Sequence, residues 1–254
     1  MTDRKFLASV FGAFLLIALG LFDSGCSSSS SPQQTGSNNV TPKTGSTYTY
    51  SKYQTDSNGT KIPGTDLVIS ASVIDDGKTV RGQNNVYTVV DDGDTAYFTY
   101  TSSNDVNVFV ENNGLTGIEQ AVGDEVLHRW IVLPITTHTS ATVLDTNTTI
   151  SVSGFQVPTH LVATVSYVGD ETVKIGTTDS LVTSICKLTI TATTNTILIS
   201  PPATLTYERN ISFSPKIGYI AKEVSKTAIP PIPAAGTAGS KSGDFRVLTS
   251  YTVK

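Results

Sequence analysis

Most of the chain carries a two-residue alternation of apolar and polar side chains. Leu67, Ile69, Ala71 and Val73 alternate with Val68, Ser70, Ser72 and Ile74, and Ala96, Phe98 and Tyr100 with Tyr97, Thr99 and Thr101. Val106, Val108 and Val110 do the same against Asn107, Phe109 and Glu111, and the period continues through 161–168, 182–192, 205–213 and 247–253. Successive side chains of a strand point to opposite faces, so alternation enriched in Val, Ile, Thr and Tyr predicts strands with one packed and one wetter face. That pattern is antiparallel. Turn-forming clusters fall between the runs: "DSNG" at Asp56, "DDGK" at Asp75, "DDGD" at Asp91, "SSND" at Ser102 and "VGDE" at Val168. Only Gly117 to Val126 suits a short helical turn. The layout predicts roughly ten to twelve strands running up and down.

An all-β body of this kind closes as an antiparallel up-and-down barrel or curls as a half-barrel; the alternative is a β-sandwich. The near-continuous run of hairpins favours the first two. A membrane-spanning barrel fits poorly, because an outward apolar band between aromatic girdles is missing from the pattern. The hairpin layout is similar to that of lipocalin-like antiparallel-sheet lipoproteins. Two long connections interrupt it, Glu111 to Glu125 and Thr227 to Asp244, the latter too rich in proline for a strand interior. The second is a surface loop or a lid over a barrel mouth.

The start of the chain follows another rule. Arg4 and Lys5 precede an apolar, uncharged run from Phe6 to Phe22, and small residues follow, as in an export signal. The segment "LFDSGCSSSSSP" ends it. Ser24-Gly25-Cys26 resembles the end of a bacterial lipobox, with Asp23 standing where that motif carries Leu or a similar apolar residue. The resemblance implies cleavage before Cys26 and acyl chains, palmitate among them, on that cysteine, enough for stable anchoring. An uncleaved anchor helix is the other reading of the segment. Ser27, after the cysteine, resembles the pattern that sends such proteins to the outer membrane, on its periplasmic face or at the cell surface. From Ser27 to Gly45 the chain is Ser, Pro, Gln, Thr, Gly and Asn with one Val and one charge, Lys43. Such a stretch buries too little apolar surface to order itself, so it reads as a tether with a reach of roughly 25 Å. The expected organisation is a signal peptide at 1–25, lipidated Cys26 and tether at 26–45, and a single all-β domain at 46–254.

Composition excludes some partners. A net charge of −4 and a pI near 5.3, with no basic cluster, argue against nucleic acid. With Cys26 acylated, Cys186 has no intramolecular partner, so no disulfide is expected and the thiol reads as buried and inert. The single methionine, Met1, leaves no Met-rich adaptable surface.

The search for chemistry is mostly negative. Asp75-Asp76 and Asp91-Asp92, with Asp94, lack calcium-loop spacing and read as turn residues before glycine. His128, His138 and His160 have no second ligand at metal spacing. Ser184-Ile185-Cys186-Lys187 matches Ser-x-x-Lys but lies in a strand, where i and i+3 face opposite ways, and Lys43-Thr44-Gly45 lies in the tether. Asn58, Asn147 and Asn210 begin sequons, and Asp94-Thr95-Ala96 and Asp179-Ser180-Leu181 resemble an O-glycosylation motif of one Gram-negative phylum. No enzyme, cofactor or metal is expected. Two functions remain: an envelope module binding a lipid or small amphiphile, or an interaction module binding a protein or polysaccharide. The candidate ligand residues are Trp130, Tyr48, Tyr50, Phe98 and Tyr100, whose rings offer contact area and, in tyrosine and tryptophan, polar tips. Filling the core is the plainer role for the same rings.

Overall fold

A computed structural model describes residues 39–111, 128–152, 155–194, 202–230 and 239–254. The signal segment, Cys26, most of the tether, the Gly117 to Val126 turn and the middle of the proline-rich loop lie outside the described residues. Twelve strands follow in order: β1 (Thr47–Thr55), β2 (Leu67–Val80), β3 (Gln83–Asp91), β4 (Asp94–Tyr100), β5 (Val106–Glu111), β6 (Ile131–Leu133), β7 (Ser140–Val152), β8 (Phe155–Ile175), β9 (Asp179–Thr194), β10 (Thr204–Ser214), β11 (Tyr219–Ile229) and β12 (Ser240–Thr252). They form one antiparallel sheet in the order β6-β5-β4-β3-β2-β1-β12-β11-β10-β9-β8-β7. Every strand pairs with its chain neighbours, except that β6 and β7 are the two edges and β1 pairs with β12, Thr47 opposite Thr252. The sheet curls into a nearly closed barrel. Barrel and half-barrel were the leading expectation, and the sandwich is set aside.

Curling follows from alternation and bulges. Tyr48, Tyr50, Ala71, Val89, Phe98, Leu161, Ile190 and Phe213 share the inner face and a single buried core. Their neighbours point outward, so burying one side of a twisted sheet bends it around that side. Register shifts at Thr49/Tyr50, Val73/Asp75, Thr142/Leu144, Tyr167/Gly169 and Ser212/Phe213 add local bend. Two of these bulges replace expected turns. "VGDE" lies within the long β8, and Asp75-Asp76-Gly77 lies within β2, whose turn is at 81–82. A one-residue insertion in a paired strand uses the same Gly and Asp chemistry as a turn, so composition alone does not separate them.

The two ends of the barrel differ. At one end the connections are short: 81–82, 101–105, 134–139, 176–178 and 215–218. At the other lie the connection 56–66, the turn 92–93 and the strand ends that bound the longer stretches 112–130, 195–203 and 230–239 of the sequence. The entering chain is fastened at the short-turn end. Asn39 Nδ2 donates to Asn104 O (3.0 Å), Val40 N–H to Pro215 O (2.9 Å), and Tyr100 Oη to Val40 O (2.9 Å). Lys43 N–H reaches Lys254 O (3.2 Å) and Gly45 N–H reaches Val73 O (2.8 Å). Residues 39–45, whose composition reads as tether, are thus bonded to the body.

Asp105 closes the same end. Its buried carboxylate accepts Thr136 N–H (2.8 Å), Thr137 N–H (3.1 Å) and Thr137 Oγ1 (2.7 Å), pinning the β6–β7 turn to the β4–β5 turn.

Candidate functional site

Four of the five candidate ligand residues come together inside the barrel. Tyr48 and Tyr50 of β1 and Phe98 of β4 keep at most 1% of their surface, and Tyr100 packs against the same core. Each phenol already has a partner in the chain. Tyr48 Oη donates to Ile217 O (3.0 Å), Tyr50 Oη to Ile220 O (2.7 Å), Tyr100 Oη to Val40 O, and the neighbouring Tyr87 Oη to Gly218 O (2.7 Å). Rings reaching across the barrel from β1 and β3 therefore bind the carbonyls of the β10–β11 turn and the residues just after it. Burial pushes all four phenols well above the ordinary tyrosine range, so they remain neutral donors. Tyr48 lies 4.7 Å from the Tyr219 ring, and Phe98 5.4 Å from Tyr87. The aromatic interior is filled by its own backbone turn.

Trp130 is elsewhere. It packs on Phe109 (5.7 Å), which points away from the inner-facing Val106 and Val108 of β5. Tyr97, the His128 ring and the Arg81 guanidinium surround the same phenyl ring, Arg81 4.3 Å above it, and Trp130 Nε1 donates to Arg81 O (3.4 Å). The β2–β3 turn thus folds over the outside of the sheet and makes a second, small aromatic cluster. Trp130 belongs to this outer cluster and does not line the barrel interior.

One feature inside the barrel lies outside the expected set. Arg246 of β12 sends Nη1 to Asp91 Oδ2 (2.5 Å) and Nε and Nη2 to Glu223 Oε2 (3.1 and 2.9 Å), while Arg209 Nη2 reaches the same Glu223 oxygen (2.8 Å). Tyr219 Oη also donates to Asp91 Oδ2 (2.8 Å), and the Arg246 guanidinium lies 5.0 Å from the centre of the Tyr50 ring. The network joins β3 to β10, β11 and β12 across the inside of the curl. Burial works against the Glu223 carboxylate, but Arg209 and Arg246 outweigh it and hold the group down at about 2. Asp244 lacks such a clamp, and burial raises it to about 6.

The network has a signature in the alternation of its strands. Arg209 is in register with Ile211, Glu223 with Ala221 and Arg246 with Leu248, so each charge stands on the apolar side of its strand's alternation. Asp91, expected in a turn, ends β3 opposite Ala71 and points inward, and Asp92 takes the turn with a φ of 53°. Asp91 Oδ1, Arg209 Nε and Asp244 Oδ1 have no partner among the described residues and no surface exposed to solvent. Those atoms are closed to solvent while the Arg209 side chain keeps 23% of its exposure, so the network ties the strands together from the inside with Arg209 at its edge.

Cys186 is a free thiol, fully buried between Tyr167 and Ile211 on neighbouring strands, with burial pushing it up to about 12. Under native conditions a thiol reagent labels it only as fast as the barrel opens, and denaturant releases it at once; rapid native labelling contradicts the assignment. The histidines are dispersed. His138 stacks on Tyr167 (3.8 Å), His160 Nε2 meets Asp145 Oδ1 (2.8 Å), and His128 belongs to the outer aromatic cluster.

No protein-family model matches the chain, and no curated protein matches it. Among solved structures, the hypothetical lipoprotein YmcC from Escherichia coli K12 is similar at 11% identity and a TM-score of 0.32, over 81% of this chain and 84% of that one. A likeness at that score carries no argument about function.

Proposed function

We propose that the protein is a lipid-anchored, non-enzymatic interaction module of the bacterial cell envelope. It is held by acylated Cys26, at the outer membrane as Ser27 suggests, and presents a rigid β-barrel to a protein or polysaccharide partner. The saturated interior is the observation that favours this over an amphiphile carrier. Tyr48 and Phe98 pack on Tyr219 and Tyr100 packs on Phe213, and the phenols of Tyr48, Tyr50 and Tyr100 are each bonded to a carbonyl of the chain. A lipid entering there would have to displace those hydrogen bonds, each worth about 1 kcal/mol, and leave buried carbonyls unpaired.

The anchor and the module are separately testable. Cys26→Ser leaves an uncleaved precursor that the lipoprotein peptidase does not process; a mature protein of unchanged mass and membrane attachment in that variant rejects the anchor. Native mass spectrometry of protein purified from its own membrane is expected to show the acylated chain without a retained amphiphile. One bound amphiphile per chain, retained after removal of bulk lipid and raising the melting temperature, restores the carrier reading.

A further inference from the structure

The fastening of residues 39–46 gives the barrel a direction. The chain leaves the body at Asn39, beside the β4–β5 turn and the β10–β11 turn, and both chain ends of the body lie there, Lys43 bonded to Lys254. Every connection at that end is short, and the side chains around the exit are polar. Lys43 and Lys216 keep 61% and 63% of their exposure, in loose pairs with Asp76 (3.5 Å) and Asp179 (3.8 Å). The strand ends that bound the longer stretches all stand at the far end.

We infer that the short-turn end, marked by Asn39, Asn104 and Lys216, is a docking surface for the lipid headgroups, and that the opposite end points away from the bilayer. This rests on the reading of Cys26 as the anchor. The reason is reach. From Cys26 to Asn39 the chain spans at most about 45 Å fully extended. The eleven-residue β10 and β11 give a barrel flank of roughly 30 Å once tilted. With the short-turn end down, the distance from Asn39 to the bilayer is small against that reach. With the barrel inverted, the linking segment must run taut along most of the flank before reaching the membrane, and the entropy of a stretched chain opposes that.

The test uses the full lipidated protein in vesicles of phosphatidylethanolamine and phosphatidylglycerol carrying a nitroxide headgroup lipid. Lys216→Cys and Asn58→Cys place one dye at each end, since Cys26 is acylated and Cys186 is buried. The dye at position 216 is expected to be quenched several-fold more than the dye at 58. Equal quenching, or stronger quenching at 58, overturns the orientation while leaving the anchor intact. Failure of the lipidated preparation to join the vesicles at all overturns the anchor reading, and the orientation with it. A parallel measurement in vesicles without phosphatidylglycerol separates charge from reach: persistence of the asymmetry supports tether geometry, and its loss overturns the reach argument.

Discussion

Glu223→Ala lowers the stability of the barrel by about 3–5 kcal/mol, the range for removing one partner of a buried ion pair. The loss exceeds that of one contact because Glu223 Oε2 accepts from both Arg209 and Arg246, and its removal leaves Arg209 without that carboxylate and Arg246 bonded to Asp91 alone. The check is urea denaturation of wild type and variant. A loss below about 1 kcal/mol, the scale of an exposed pair, would show that water reaches the cluster and that the clamp is not buried. Replacing Asp91, Arg209, Glu223 and Arg246 together by apolar residues of similar size is expected to recover much of the loss, because desolvation then no longer opposes folding.

The same cluster sets a pH profile with two limbs. Glu223 is held down at about 2 in the fold, against 4.5 for an ordinary glutamate, so its contribution is present above about 4.5 and disappears as pH falls through 2. Asp244 is raised from 3.8 to about 6, so the folded state binds its proton more tightly and stability rises as pH falls from about 7 towards 4. The urea midpoint should therefore pass through a maximum on the acid side of neutrality. Asp244→Asn removes the neutral limb and leaves the acid limb. Identical profiles for wild type and Asp244→Asn between pH 7 and 5 would reject this account.

Gly218→Ala is the second large effect, about 2–4 kcal/mol. Gly218 has a φ of +63°, and a Cβ built there would stand 2.3 Å from Val40 O and 2.6 Å from Pro42 Cδ. The left-handed backbone alone costs about 1 kcal/mol for alanine. Relieving the clash must then push residues 40–42 off the barrel, with the Tyr100–Val40 and Val40–Pro215 hydrogen bonds, each about 1 kcal/mol. Gly77→Ala is the control: its φ is +76° but nothing lies within 4 Å of the added carbon, so only the backbone penalty applies. Hydrogen exchange should show the Val40 amide deprotected in Gly218→Ala and protected in Gly77→Ala. Equal costs for the two substitutions would mean that the entry segment does not press on the turn.

The fold was legible where one face of a strand is uniformly apolar. The alternations at 161–168, 182–192 and 205–213 fall inside β8, β9 and β10, and the expected barrel follows from their hairpin spacing. The less regular strands were not read. β7, "SATVLDTNTTISV", is an edge strand rich in Thr, and β11 carries Glu223 where a core residue belongs, so neither shows clean alternation. The site was harder still. That Tyr48 and Tyr50 share a face follows from period alone, but that their phenols end on Ile217 and Ile220 depends on how tightly the sheet curls, which no local pattern records. Trp130 looked like core because its neighbours are apolar. Its cover comes from Arg81, a residue whose position is set by three irregular steps of register between β2 and β3.

Pairing β1 with β12 has a consequence for how the molecule is made. The contact between Thr47 and Thr252 spans almost the whole body, so this seam cannot form until β12 has been synthesised. Hairpins from β7 to β12 can zip in sequence, but the β1–β2 hairpin must keep one edge open until the C-terminus arrives. Closing this one non-local seam is expected to be the slow step, and until then the unpaired edge of β1 is a site for off-pathway pairing with another chain.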